Sequence, residues 1–178
     1  MEDYQNRIRQ LKDEALVEYK AGSIDKAIIL TIRSWDALPE PKYEKPDSYL
    51  IARSMVFLLN KAERYDEALV WAQHLMQSSP DRYDSGDREF MAGTVLYHIG
   101  RKDDAWMYFD VANDKSESRC FESTDTIYRE FFESRDGKIL KQKKHIMAAS
   151  IIAYIPDLPE DRSDLFERIV DNEEFEKI

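Results

Sequence analysis

The strongest constraint on this chain is a short block that occurs three times. Gly22-Ser23-Ile24-Asp25-Lys26-Ala27, Glu63-Arg64-Tyr65-Asp66-Glu67-Ala68 and Gly100-Arg101-Lys102-Asp103-Asp104-Ala105 share one form: a small or polar turn residue, any residue, a bulky residue, two charged residues, alanine. In the first two, a proline (Pro39, Pro80) follows the alanine by twelve residues. Helical hairpins account for every position. The turn residue lets the chain reverse between antiparallel helices, and the acids fall in the first turn of the second helix, where the macrodipole favours negative charge. The alanine is small because two helices approach closely there. The proline ends the second helix, since the residue before it disfavours helical dihedrals. Twelve residues before each alanine stand Ala15, Val56 and Gly93, where the paired helix meets it.

Between these punctuation points the chain has few breakers: only five glycines and six prolines in 178 residues. That favours long helices over many short strands. Leu11, Ala15 and Leu16 make an apolar stripe on the first helix, Met55, Val56 and Leu59 on the third, and Val95 and Leu96 on the fifth.

The blocks resemble the tetratricopeptide-repeat (TPR) consensus over residues 8 to 117. The alanines are spaced by 41 and then 37 residues, where a regular array repeats at about 34. The excess lies in the proline-rich stretch from Pro39 to Pro46 and around Asp81 to Gly86. The resemblance implies an all-α fold, a TPR-like α-solenoid of antiparallel helix hairpins, with three degenerate hairpins over 1–117 and a C-terminal helical cap over 118–178 in one continuous domain. Terminal units of a solenoid must cover an otherwise exposed apolar face. Within the cap, Thr126 to Phe132 reads as a short helix and Gly137 as a break. Ile139 to Tyr154 reads as a second helix, and Ser163-Asp164 as the N-cap of a third.

The search for chemistry returns no catalytic residues, no metal ligands and no cofactor motif. His74, His98 and His145 stand alone, without a second His or Cys at ligand spacing. Cys120 lacks a nucleophile signature, and a single cysteine excludes an internal disulfide. Asp81, Asp84 and Asp87 lack calcium-loop spacing, as do Asp171, Glu173, Glu174 and Glu176. Trp35, Trp71 and Trp106 fall on the second helices and are expected to pack hairpin against hairpin. The expectation is a non-enzymatic protein.

Net charge of −10 argues against nucleic acid as partner, since phosphate binding runs on Lys and Arg. The N-terminus lacks an apolar signal core, and the longest apolar run, 146–155, is too short to span a bilayer. A cytoplasmic protein with no membrane association is expected. Its oligomeric state is left open, because 146–155 can pack between protomers as well as within one.

In TPR arrays the first helices of successive hairpins line a partner-binding groove. Carried over by the resemblance, the groove is Arg9, Lys12, Asp13, Leu16, Tyr19 and Lys20 from the first helix. The third helix adds Leu50, Arg53, Ser54, Phe57, Asn60 and Lys61, and the fifth adds Asp87, Phe90, Met91, Thr94, Tyr97 and His98. Aromatic, methionine and charged side chains of this kind are enriched at protein interfaces. TPR co-chaperones hold a chaperone's C-terminal carboxylate with Lys and Asn, but those positions here carry Lys12, Leu16, Ser54, Asp87 and Met91. Asp87 is expected to repel an anionic peptide end.

The chain also resembles small, acidic, stand-alone bacterial TPR proteins of the toxin-immunity type, over the stretch from Asp84–Phe90 through Tyr108–Ser116. That resemblance implies a protein that binds and neutralises a cognate toxin, its negative charge speeding capture of a basic partner. A general scaffold or adaptor in a multiprotein assembly is the alternative, and an enzyme with a distributed active site a weaker one.

Overall fold

The computed structural model describes residues 2–78, 85–122 and 124–134. Pro80, Gly137, His145, the helices expected over Ile139 to Tyr154 and after Ser163, and the acids Asp81, Asp84 and Asp171 to Glu176 lie outside the described residues.

Those residues are all-α, with seven helices packed pairwise in sequence order: α1 Glu2–Lys20, α2 Ile24–Asp36, α3 Pro46–Lys61, α4 Tyr65–Gln77, α5 Asp87–His98, α6 Lys102–Ser116 and α7 Thr126–Ser134. The sequence periodicity of α2 shows why it forms. Ala27, Ile28, Thr31 and Trp35 recur at helical spacing, and all are buried.

The three repeated blocks build the same turn three times. After α1, the Ser23 N–H donates to Glu18 O (2.9 Å) and the Gly22 N–H to Tyr19 O (3.0 Å). After α3, Arg64 donates to Leu59 O (2.9 Å) and Glu63 to Asn60 O (3.1 Å). After α5, Arg101 donates to Leu96 O (2.9 Å) and Gly100 to Tyr97 O (3.3 Å). This nested pair is the Schellman motif, which needs a left-handed residue at its centre. Gly22, Glu63 and Gly100 supply it, with φ of 82°, 58° and 84°. The next residue then starts the second helix, its carbonyl accepting from Ala27, Ala68 or Ala105.

The small residues sit at close approaches. Ala27, Ala68 and Ala105 are fully buried. A Cβ on Gly93 would stand 2.7 Å and 2.8 Å from ring carbons of Phe109, so α5 and α6 reach this separation only with glycine there. The three tryptophans are buried as expected. Trp35 and Trp71 meet edge to face at 5.3 Å, and Trp106 donates to Phe132 O (3.1 Å) while stacking on its ring.

The proline-rich connector between α2 and α3 is part of the packing. Its short 3-10 turn, Lys42–Glu44, lays Tyr43 against Trp35 (5.6 Å) and places the Tyr43 hydroxyl 2.6 Å from His74 Nδ1. No helix among the described residues is long and apolar enough to cross a membrane.

Candidate functional site

Side-chain links set the first helices of the hairpins side by side. Lys12 of α1 reaches Asp47 of α3 (3.3 Å), and Tyr19 packs edge-on against Phe57 (5.5 Å). From α3 to α5, Arg53 makes a two-pronged pair with Asp87 (2.6 and 2.9 Å), Tyr49 donates its hydroxyl to the same carboxylate (2.6 Å), and the Asn60 amide donates to Thr94 (2.8 Å). The Thr94 hydroxyl donates its own hydrogen bond to Met91 O (2.7 Å), which fixes the Asn60 amide with nitrogen toward Thr94. Asn60 Oδ1 is left shut from solvent without a hydrogen-bond partner.

α7 and the turn before it supply a second wall. An open cavity of about 650 Å³ lies between this wall and α3 and α5. It takes in Arg53, Phe57, Asn60, Lys61, Asp87, Phe90, Met91 and Thr94, eight of the groove positions named from sequence. Phe90, Met91 and Thr94 form the buried floor, while Phe57 and Lys61 stand on the exposed lip with the Lys61 ammonium 5.8 Å from the Phe57 ring.

The other groove positions do not enter it. Arg9, Leu16 and Lys20 lie exposed on α1, Lys12 is tied to Asp47, and Tyr19 packs on Phe57. Leu50 is exposed, and the Ser54 hydroxyl donates to Leu50 O. Tyr97 and His98 are taken by α7: Tyr97 packs on Tyr128 (5.5 Å) and Phe131 (5.0 Å), and His98 Nε2 lies 2.9 Å from the Tyr128 hydroxyl. Asp13 lines a different surface, on the outer side of α1.

The reading of Asp87 as a repelling charge needs correction. Arg53 neutralises both its oxygens, and burial together with Asp87 raises the Tyr49 pKa, so that hydroxyl stays a donor. The cavity as a whole carries three cations (Arg53, Lys61, Arg119) and three carboxylates (Asp87, Glu122, Asp125), in a chain whose net charge is −10.

Sequence reasoning missed the second wall: Ser116, Arg119, Cys120, Glu122, Thr124, Asp125 and Tyr128. The one available signal was the aromatic run around Tyr128, which marked a helix but not its docking site. Cys120 is half-buried; burial first raises its thiol pKa, against Ser116 and Arg129, which lower it. The His98 pKa is lowered by burial and then by Lys102, and burial pushes the Tyr128 hydroxyl up to about 12. At neutral pH the thiol and the phenol therefore keep their protons and the imidazole stays neutral. Among the described residues no three His, Cys, Asp or Glu side chains come together as metal ligands.

Fold and site together define an all-helical hairpin protein with an open cleft of mixed aromatic, polar and balanced ionic character. No protein-family model and no curated protein matches this chain.

Proposed function

We propose that this chain is a tetratricopeptide-type module that binds another protein in the cleft between α3, α5 and α7 and performs no chemistry itself. The observation that supports this most is the cleft's make-up. A buried apolar floor (Phe90, Met91) sits beneath an exposed lip carrying an aromatic ring, Phe57, and two cations, Lys61 and Arg119, the latter's Nε donating to Ser116 O (2.7 Å). Binding energy at interfaces concentrates in such desolvatable aromatic and basic anchors. The partner class we put forward is a toxin domain of net positive charge. The chain's −10 charge would steer it in, and the balanced rim would then pair with side chains of both signs.

The test is co-expression with the product of the neighbouring gene, read as growth rescue where that product is toxic and as affinity for its catalytically dead form. Phe57→Asp or Arg119→Glu is expected to weaken binding at least about tenfold, roughly 1.4 kcal/mol. Binding unaffected by both would remove the cleft from the interface. An inert neighbour and no rescue would remove the toxin reading.

A further inference from the structure

The outer side of the first hairpin, away from the cleft, carries a second surface. Asp13, Glu14, Val17 and Glu18 of α1 and Lys26, Ile29, Leu30 and Arg33 of α2 line a shallow hollow of about 510 Å³. Val17 is 65% exposed, more than Leu16, Leu50 or Phe57. The charges are sorted by helix: every acid comes from α1 and both bases from α2. Glu14 takes a hydrogen bond from Gln10 (2.7 Å). Among the described residues Asp13, Glu18, Lys26 and Arg33 are not held in any side-chain hydrogen bond or ion pair within the chain.

We infer that this face binds a second copy of the chain, forming a reversible two-fold dimer. The argument is symmetry. A two-fold axis lying in the interface, parallel to the helices and midway between them, sets α1 of one copy over α2 of the other. The hairpin's helices are antiparallel, so the stacked helices are antiparallel too, as in a four-helix bundle. The operation preserves each residue's height along the axis. Glu18, four residues before Gly22, then meets Lys26 of the second copy, four residues after it. Asp13 and Glu14, nine and eight residues before Gly22, lie two to three residues (about 3–5 Å of rise) off the level of Arg33, eleven after it, within the reach of its long side chain. Val17 lies beside Ile29 and Leu30 with a similar offset, at the centre. Each contact occurs twice, and every charged contact sets an acid against a base. At about 1.5 Å rise per residue, α2 is roughly 20 Å long, so the pair of helices offers a footprint near 400 Å² per copy. Over both copies that is about 800 Å², below the size of stable specific interfaces and in the range of weak, transient ones, which fits a dimer that exchanges freely with monomer.

Sedimentation velocity on the full 178-residue chain, from about 1 to about 300 µM, tests it across the range where an interface this small would dissociate. The expected result is a monomer–dimer equilibrium that weakens as salt rises and the charge pairs are screened. Val17→Asp, at a site exposed enough to leave folding intact, should be monomeric throughout. Glu18→Lys should weaken the dimer at least about tenfold, and the double exchange Glu18→Lys with Lys26→Glu should regain most of it. Phe57→Asp, in the cleft, should dimerise like the wild type. A chain monomeric at every concentration overturns the inference. So does a dimer that Val17→Asp leaves intact, which would place self-association elsewhere.

Discussion

His74 is enclosed by the rings of Trp35 (5.1 Å) and Trp71 (5.0 Å), with Nδ1 2.6 Å from the Tyr43 hydroxyl. Burial in this aromatic box, helped by the nearby Lys42 ammonium, lowers its pKa to about 4. In the unfolded chain the imidazole titrates near about 6.5. Between those values the unfolded state binds more protons, so stability falls as the solution is acidified from about 6.5 toward 4 and is flat, as far as His74 is concerned, above 6.5. The most this one group can remove is about 3 kcal/mol. Urea denaturation at neutral pH and near pH 4.5 should show the loss, and His74→Phe should remove most of the difference between the two. An equal difference in the variant would assign the acid sensitivity to carboxylates instead.

At the level of elements, α5 and α6 are held at a separation that Gly93 permits. Alanine there gains up to about 1 kcal/mol of helix propensity. Its methyl, however, meets the ring of Phe109, which is fully buried, so the ring withdraws only by displacing its own neighbours. Overpacking of this kind costs about 1–3 kcal/mol, so Gly93→Ala should lower the urea midpoint. An unchanged or raised midpoint would mean that Phe109 shifts freely. Gly93 was legible in the sequence because hairpin chemistry is local. Turn glycine, first-turn acid and facing small residues stand at fixed offsets, and Gly22, Gly100, Ala27 and Ala105 could all be placed from spacing alone. Even Glu63, which breaks the glycine pattern, holds the same left-handed turn. The cleft was only half legible. Its floor follows from repeat register, but its second wall depends on α7 folding back so that Phe132 stacks on Trp106 and Phe131 packs on Tyr97. No offset encodes that choice. It also covers Tyr97 and His98, which the family resemblance assigned to the groove. Asp87 misled for a related reason: its charge was visible in the sequence, while Arg53, 34 positions away, was not visibly its partner.

At the scale of the molecule, the substantial helix–helix contacts among the described residues run between neighbours in sequence, with α3 against α5 the addition that closes the cleft floor. A chain wired this way transmits instability poorly: each hairpin feels its neighbours and little beyond them. Among the described residues the first hairpin is bonded to the rest from one side only, through α2 against α3 and through links such as Lys12 to Asp47 and Arg64 to Asp25 (3.4 Å). Ion pairs of this partly exposed kind contribute about 1 kcal/mol or less, so apolar contact carries the attachment. Ile28, 1% exposed, belongs to the apolar core the first hairpin shares with the others, and truncation of such a residue to alanine costs about 2–5 kcal/mol. Ile28→Ala should therefore open α1 and α2 well before the rest. In hydrogen exchange, protection should fall across 2–36 and persist in α5 and α6, and binding in the cleft should survive. Protection lost evenly from α1 to α7 would instead show one cooperative unit, in which the Arg53–Asp87 and Asn60–Thr94 links bind the molecule more tightly than its nearest-neighbour contacts imply.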